Sequence, residues 1–374
     1  DRLGDLAGLF CEQSLMQSRC RVELAYLEAL ADTGRFFQLD PAERAALRKE
    51  LDSFGERDYA EIKRIEARTA HDVMACVEHL RARFPARAEW IHFALTSEDV
   101  NNLAYSLIFR DYATKLQQPL LEDVIRKLME LAGRWQDIPF PAKTHGQPAS
   151  PTTAGKEIAV FIARLLRQRR QLKEFRFRGK FGGATGNWSA FVAADPDFDW
   201  LAFSKKFVES LGLEFNGATT QIEDHDAWSE WFSITRRINT ILLDLDLDAW
   251  EYISRGFFVQ KKREGEVGSS TMPHKVNPIK FENSEGNLVL ANSLLATLSE
   301  RLCHSRMQRD LSDSTVTRNI GVALAHSHLA WQETLGGLDR IELDTAACRA
   351  ELEREPQLLA EPYQIVLRRA GRKD

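Results

Sequence analysis

The chain has 374 residues, of which 44% are hydrophobic and 28% are charged, a composition typical of a globular protein with a large core. At roughly 150 residues per domain, this length suggests two or three domains. Lys and Arg total 50 and Asp and Glu total 55, so the net charge is −5 and gives no electrostatic reason to expect nucleic-acid binding. A local basic site for a phosphorylated small molecule stays compatible with this balance.

The five cysteines are scattered, odd in number and without a CxxC pair. This pattern indicates reduced thiols, as in a cytoplasmic protein, rather than a disulfide framework or a zinc site. No run of about 18 apolar residues occurs, so we expect no membrane span. The first residues lack the basic start and apolar block of a signal peptide.

Helical periodicity dominates the chain, and alternating strand patterns are rare. Thr96 precedes Ser-Glu-Asp and an apolar run, which predicts a helix N-cap. Apolar residues at three- and four-residue steps predict long helices over residues 117–135, 153–175, 228–255 and 280–302. Because such apolar stripes need a partner surface, the predicted fold class is all-α, a bundle of long helices.

Proline and glycine interrupt the helical patterns in three places. Residues 139–151 contain four prolines, residues 179–186 form the Gly-rich turn GKFGGATG, and residues 265–278 mix glycine, serine and proline. Loops carried on a rigid scaffold are where binding and catalytic side chains concentrate. We therefore expect functional residues in these interruptions.

The most informative interruption is GEVGSSTMPHKVNPIKF, residues 265–281. Taken alone it could be a solvated surface loop, since it contains neither a P-loop nor the turn of a serine hydrolase. It resembles the signature G-S-x-x-M-x-x-K-x-N of the fumarase/aspartase superfamily, which is matched by Gly268, Ser269, Met272, Lys275 and Asn277. That many fixed positions within ten residues make coincidence a poor explanation.

The resemblance implies an enzyme that eliminates a group from the β-carbon of a succinyl substrate and releases fumarate. It also implies a central five-helix bundle flanked by smaller helical domains, and homotetramers whose active sites draw on three subunits. The domains expected are an N-terminal helical domain (1–93), the central bundle with the catalytic loops (94–345) and the start of a C-terminal helical domain (346–374). No metal or organic cofactor is implied, and His71, His79 and His92 lack clean metal-ligand spacing with carboxylates.

The chemistry of such an elimination explains the residue types in the loop. Removing a proton next to a carboxylate requires a base together with a fixed cation that stabilises the developing charge. The resemblance implies that Ser269 is the base, selected over Ser270 by the family pattern, and that Lys275 and Asn277 hold the carboxylate. A serine base needs nearby cations and backbone N–H groups to stabilise its alkoxide.

The stretch KTHGQPASPTTAGKE, residues 143–157, contains a second candidate. His145 lies in a Pro- and Gly-bounded turn rather than on an apolar helix face, which favours a functional role. Histidine is suited to protonating a departing nitrogen near neutral pH. The stretch resembles a motif of the adenylosuccinate lyases within this superfamily. It implies that His145 is the general acid and that Thr144 and Gln147 place the substrate.

Four further segments resemble the same family and supply substrate contacts. Residues 68–80 imply His71 and Asp72, residues 94–107 imply Thr96 and Ser97, and residues 219–226 imply Gln221. Residues 305–321 resemble the segment that holds the nucleotide phosphate. Two arginines on one helix would otherwise be interpreted as a solvated face, but Arg suits bidentate phosphate recognition. The contacts implied by this last segment are Arg309, Ser314 and Arg318.

The resemblance covers nearly the whole chain and implies cleavage of a small-molecule nucleotide, adenylosuccinate, to AMP and fumarate. It extends to the related succinyl-carboxamide ribonucleotide of purine synthesis. Relatives begin with an SPxDGRY-like segment and continue beyond LAEPYQIVLRR, so we expect an incomplete copy with a truncated C-terminal domain. Two alternatives stay open: a superfamily lyase acting on argininosuccinate, malate, aspartate or carboxymuconate, and a structural protein like the superfamily's lens members.

Overall fold

The computed structural model describes residues 3–261 and 275–372, and most of these residues are helical. The predicted all-α class is therefore confirmed. The α-helices of the described part are α1 (Gly4–Phe10), α2 (Glu12–Asp32), α3 (Pro41–Asp52), α4 (Glu56–Thr69), α5 (Asp72–Arg83), α6 (Ser97–Tyr112), α7 (Gln118–Arg134), α8 (Ala154–Glu174), α9 (Ser189–Ala194), α10 (Trp200–Ser210), α11 (Asp226–Ser254), α12 (Ile279–Arg301), α13 (Ser312–Thr317), α14 (Ile320–Leu338), α15 (Thr345–Arg354) and α16 (Ala360–Arg369).

Strands are short and pair two by two. They are β1 (Pro139–Thr144) with β2 (Gln147–Thr153), β3 (Arg178–Gly179) with β4 (Glu214–Phe215), and β5 (Phe258–Gln260) with β6 (Ile341–Leu343). The β3–β4 pair is parallel and the other two are antiparallel. Among the helices of the described residues, none is both long and apolar enough to cross a bilayer.

The four long helices predicted from the sequence all form. Helices α7, α8, α11 and α12 begin and end within two residues of the predicted bounds. Their amphipathic periodicity is a local signal, and it is strong because one stripe of each helix is buried. On α11, for example, Trp231, Ile238 and Leu242 are buried.

The chain divides into two compact units. Unit 1 comprises Asp1–Leu116, Phe175–Phe232 and Ala296–Gly321, and unit 2 comprises Gln117–Glu174, Ser233–Leu295 and Val322–Asp374. The three domains expected from the sequence stay a prediction.

Unit 1 has an apolar core at its N-terminal end, where α2 packs against α3, α4 and α5. Leu24, Leu27, Ile62, Val77 and Leu80 are buried together there. A second cluster is aromatic and joins α2 to α10. Its rings lie at centroid separations that favour edge-to-face contact, and its members include Tyr26, Phe181, Phe203 and Phe207.

Unit 2 carries polar pairs inside its helical packing. The Asn239 side chain donates to the Ser327 hydroxyl at 2.9 Å and accepts from the Trp331 indole at 2.7 Å. Thr334 donates to the Asp246 carboxylate at 3.1 Å. Burial raises the pKa of Asp246 well above its ordinary value. Buried polar pairs of this kind help to fix how neighbouring helices align.

The proline-rich stretch 139–151 lies between α7 and α8, as a break between helices should, and it forms the β1–β2 hairpin. Four prolines fit because a two-stranded sheet leaves each strand with a free edge, where no N–H is needed. The register shifts between Pro141 and Lys143. The Phe140 ring anchors the hairpin by packing edge-on against Tyr252 and Phe257, at centroid distances of 5.1 and 5.3 Å.

Candidate functional site

A cavity of about 990 Å³ lies within unit 1. Helices α2, α5 and α6 and the segments around residues 221 and 309–321 line it. Eight of the substrate contacts predicted from the sequence lie in its wall: His71, Asp72, Thr96, Ser97, Gln221, Arg309, Ser314 and Arg318. Residues separated by up to about 250 positions in the chain thus meet at one surface.

The start of α6 supplies Thr96 and Ser97. Thr96 is the N-cap, as the sequence predicted, and its backbone N–H donates to the Asp99 carboxylate at 3.0 Å. Asp99 is completely buried and forms an ion pair of 2.7 Å with Lys180, which is also completely buried. The same carboxylate accepts backbone N–H groups of Gly182 and Gly183 at 3.0–3.2 Å. This network fixes the Gly-rich turn to the start of α6.

The Gly-rich turn also packs against the segment that carries Gln221. Gly186 has a φ of +72°, and a Cβ there would lie 2.2 Å from the carbonyl oxygen of Thr219. Only glycine fits so close an approach in this backbone conformation. The backbone N–H of Gln221 also donates to the Gln308 carbonyl at 3.3 Å, which ties this segment to the one that carries Arg309.

Buried polar groups hold the next residues of this wall. The Glu223 carboxylate accepts from the Asn216 amide at 2.8 Å and from the His225 backbone N–H at 2.7 Å. Burial, with the neighbouring charge of Asp224, raises the pKa of Glu223 to about 7. The His225 ring stacks on Trp228 at a centroid distance of 4.2 Å, and its Nδ1 lies 3.1 Å from the Leu302 carbonyl oxygen.

Arg19 organises the part of the wall at the start of α5. Its guanidinium donates to Asp72 at 2.7 Å and to Asn101 at 2.8 Å, so it joins α2, α5 and α6. Burial alone would raise the pKa of Asp72, but the charge and the hydrogen bond of Arg19 outweigh it and lower that pKa. The pair therefore keeps Asp72 ionised at the cavity. His71 is the N-cap of α5, and its Nδ1 accepts the Met74 N–H at 3.3 Å.

The predicted phosphate contacts differ from their expected placement in one respect. Helix α13 spans only Ser312–Thr317, so Arg309 and Arg318 flank it rather than share a helix. Arg309 forms an ion pair of 3.2 Å with Glu98, and burial raises the pKa of Glu98 although Arg309 opposes the rise. Arg318 is exposed and makes no ion pair within residues 3–261 and 275–372. It is thus available to an anion in the cavity.

His145 lies at the tip of the β1–β2 hairpin, in unit 2. His145 and Gly146 have φ values of +54° and +73°, as a two-residue type I′ turn requires. A non-glycine residue in the left-handed region is strained, and such strain concentrates at functional positions. Thr144, His145 and Gln147 are exposed, and an ion pair of 2.7 Å between Lys143 and Glu351 holds the base of the turn.

The remaining predicted residues belong to the loop before α12. Lys275 is exposed and Asn277 is half-buried. The side chain of Gln260 donates to the Val276 carbonyl at 2.8 Å, which ties this segment to β5. Ser269 lies outside the described residues.

Several residues of the cavity wall were not predicted. Asn101 and His225 lie inside segments that carried the resemblance, so their polar side chains could have been found there. Arg19 carried no local signal, because it is one arginine on a helix. The unpredicted residues in the wall include Arg19, Glu98, Asn101, Tyr105, His225 and Asp313.

Comparison with known proteins agrees with this fold. A crystal structure of a fumarate lyase from a Mesorhizobium species is similar, with a TM-score of 0.82, 18% identity, and coverage of 97% of this chain and 81% of that one. A crystal structure of 3-carboxy-cis,cis-muconate lactonizing enzyme from Pseudomonas putida gives a TM-score of 0.81 at 22% identity, with the same coverage. At these identities the likeness concerns the fold.

Sequence comparisons are more specific. A family model described as lyase matches residues 5–292, and one described as adenylosuccinate lyase C-terminal matches residues 305–374. These family matches define a lyase. Adenylosuccinate lyases from Escherichia coli and Haemophilus influenzae are 46% and 43% identical, each over 99% of this chain and 83% of the relative. The chain belongs to the adenylosuccinate lyase family.

Proposed function

We propose that the protein cleaves adenylosuccinate to AMP and fumarate. The observation that carries this proposal is the cavity of unit 1, where eight predicted substrate contacts converge with Arg19. The substrate bears a phosphate and two carboxylates, so it needs several cations, and the wall supplies Arg19, Arg309 and Arg318. A volume of about 990 Å³ lies at the upper end of the range common for small-molecule sites.

Within the cavity, we assign the phosphate to Arg309, Ser314 and Arg318. Arg318 supports this assignment because it is exposed and no carboxylate of the described residues neutralises it. Arg309 is held by Glu98, which fixes the direction of its guanidinium at the cost of part of its charge. Thr96, Ser97 and Gln221 then supply neutral hydrogen-bond donors and acceptors for the rest of the substrate, as pocket specificity usually requires.

The reaction we propose is a β-elimination. Ser269, as an alkoxide, takes a proton from the succinyl carbon next to the one that bears the nitrogen, and the electron pair moves into the carboxylate on that carbon, held by Lys275 and Asn277. The electron pair then forms the carbon–carbon double bond as the carbon–nitrogen bond breaks. The leaving nitrogen receives a proton from His145. The roles of Ser269 and His145 rest on the family resemblance and on the exposed, strained turn that presents His145.

We further infer a homotetramer with shared active sites in the cytoplasm. Exposed apolar side chains on the long helices support an assembly, because they would otherwise be hydrated; they include Leu247, Trp250, Val289 and Leu290. The same site would accept the succinyl-carboxamide ribonucleotide, since this molecule carries the same phosphate and the same succinyl-nitrogen bond.

The test is fumarate release, followed by ultraviolet absorbance, with adenylosuccinate and then the succinyl-carboxamide ribonucleotide as substrates. Light scattering on the same sample measures the assembly. We expect turnover of both substrates by a tetramer, and inhibition by AMP but not by arginine. An intact tetramer that turns over neither nucleotide, or that is inhibited by arginine instead, would contradict the proposal.

A further inference from the structure

A buried histidine in unit 1 is surrounded by carboxylates outside the cavity wall. His79 on α5 is completely buried, and Glu50 of α3 and Asp58 and Glu61 of α4 face its ring. The His79 Nε2 lies 3.5 Å from Glu50 Oε1 and 3.9 Å from Asp58 Oδ1. The His79 Nδ1 lies 3.6 Å from Glu61 Oε2. Three helices thus direct their polar atoms at one imidazole.

These distances exceed those of hydrogen bonds, which lie between about 2.7 and 3.2 Å for nitrogen and oxygen. Within the described residues, neither ring nitrogen of His79 makes a hydrogen bond, and neither does Glu50 Oε1. Leaving buried polar atoms without a partner destabilises a fold, because their hydration is lost and nothing replaces it. The arrangement therefore calls for a ligand that these atoms can share.

We propose that Glu50, Asp58 and His79 bind a divalent transition-metal ion of the Zn²⁺ type. Zinc bonds to nitrogen and carboxylate oxygen are about 2.0–2.2 Å long, which makes the edges of a tetrahedral ligand shell about 3.3–3.6 Å. The His79–Glu50 separation of 3.5 Å falls in that range, and the His79–Asp58 separation of 3.9 Å is a few tenths of an ångström longer. All three ligand atoms lie within 4.8 Å of one another.

Glu61 lies where a residue that orients the His79 ring would lie. A metal-bound imidazole usually donates its second N–H to a carboxylate, which fixes the ring orientation and raises its basicity. Glu61 Oε2 faces the His79 Nδ1 at 3.6 Å, close to this arrangement. The cluster therefore contains both the ligands and the support of a carboxylate–histidine–metal triad.

Arg83 competes with the metal for the same oxygens. Its Nη2 lies 2.6 Å from Asp58 Oδ1 and its Nε lies 3.5 Å from Glu50 Oε1. The Arg83 side chain is 40% exposed, so it can rotate into solvent when a metal ion neutralises the two carboxylates. Removing this guanidinium should therefore strengthen metal binding, whereas a purely structural ion-pair cluster would only lose stability.

The site depends on tertiary structure. Its ligands are separated by 8 and 21 positions on three helices, which explains why no metal-ligand spacing was evident in the sequence. Helix α5 begins at Asp72 in the cavity wall and ends at Arg83 beside the cluster. A bound ion would fasten this helix to α3 and α4.

The experiment is a calorimetric titration of the chelator-treated, full assembled protein with Zn²⁺, with thermal unfolding measured alongside. We expect one ion for each chain and a higher Tm with Zn²⁺. Glu61→Gln should weaken binding about 10–100-fold, as for other residues that orient a metal ligand. Glu50→Gln should weaken it further, and Arg83→Gln should strengthen it.

Glu56→Gln is the matched control, because Glu56 is an exposed residue of α4 outside the cluster. It should bind Zn²⁺ as the unaltered protein does. Unchanged affinity in both Glu50→Gln and Glu61→Gln, weaker binding in Arg83→Gln, or no Zn²⁺ bound by the unaltered protein would each overturn the proposal. His79→Asn should abolish binding, and if that variant fails to fold, the glutamine variants still decide.

Discussion

The cavity wall of unit 1 and the hairpin tip of unit 2 present their candidate residues in opposite ways. The wall is held by ion pairs: Asp99 with Lys180 at the start of α6, both buried, and the buried Arg19 with the half-exposed Asp72 at the start of α5. At the tip, the exposed His145 and its neighbour Gly146 both have a positive φ, and the Lys143–Glu351 ion pair lies at the base of the turn. Residues that bind thus lie on a preorganised surface, and the candidate proton donor lies on a turn.

The physical reason lies in what each task requires. Binding an anion requires cations and donors that are already oriented, because ordering them during binding would cost free energy. A proton donor has to lie within hydrogen-bond reach of the leaving atom, and its pKa has to be near the working pH. We therefore expect substitutions in the wall to act on stability and affinity, and substitutions at the tip to act on turnover.

The largest effect is expected beneath the wall, for Lys180→Met. The substitution leaves the buried Asp99 carboxylate without its cation, and breaking a buried pair in this way costs about 3–5 kcal/mol. Urea unfolding measures the loss. Lys205→Met, at an exposed position of α10, should change the unfolding free energy by less than about 0.5 kcal/mol. A loss below about 1 kcal/mol at Lys180 would mean that backbone N–H groups alone stabilise Asp99.

At the hairpin tip, His145→Gln should lower turnover by about 10²-fold or more, the loss expected for a missing general acid. The unfolding free energy should stay the same, because the side chain is exposed. Fumarate release and thermal unfolding, measured on one sample, separate the two quantities. His304→Gln removes another exposed histidine and should change neither. If the His145→Gln variant kept its activity, His145 would not be the general acid.

A smaller effect concerns pH and the wall. Because the folded-state pKa of Glu223 is raised to about 7, the folded protein keeps a proton that the unfolded chain loses near 4.5. The stability from this group is complete below about pH 4.5 and is lost as the pH rises through about 7. Glu223→Gln should remove a slope on the order of 1 kcal/mol per pH unit in that window.

Urea unfolding at several pH values, for the unaltered protein and the variant, checks this dependence. Glu214→Gln, at an exposed position of β4, should keep the slope. If the unaltered protein and Glu223→Gln showed parallel stability profiles, the Glu223 carboxyl would not be protonated in the folded state.

The smallest effect is expected for Gly146→Ala at the tip. Its φ of +73° costs an alanine about 1 kcal/mol, and no atom lies within 4 Å of the added Cβ, so the cost is confined to the backbone. Gly133→Ala, in the last turn of α7 with equally open surroundings and without a positive φ, should instead stabilise by about 0.5 kcal/mol. Urea unfolding of both variants should therefore give opposite signs. Equal signs would mean that the turn is not held in the left-handed conformation.

The sequence determined the features that depend on neighbouring residues. Amphipathic stripes fixed the bounds of α7, α8, α11 and α12, and the Thr-Ser-Glu-Asp pattern fixed the N-cap at Thr96. The family motifs also selected eight residues that meet in one cavity. The roles of Ser269 and His145 stay predictions.

Only the tertiary structure decided which distant residues meet. Residues 139–151, with their four prolines, form a hairpin, and Arg19 lies in the wall of the cavity. Glu50 and Asp58 lie around His79. None of these has a local signature, because an isolated arginine or glutamate on a helix looks like any solvated charge. Their partners are chosen when the apolar stripes of the helices pack, and that packing depends on the whole chain at once.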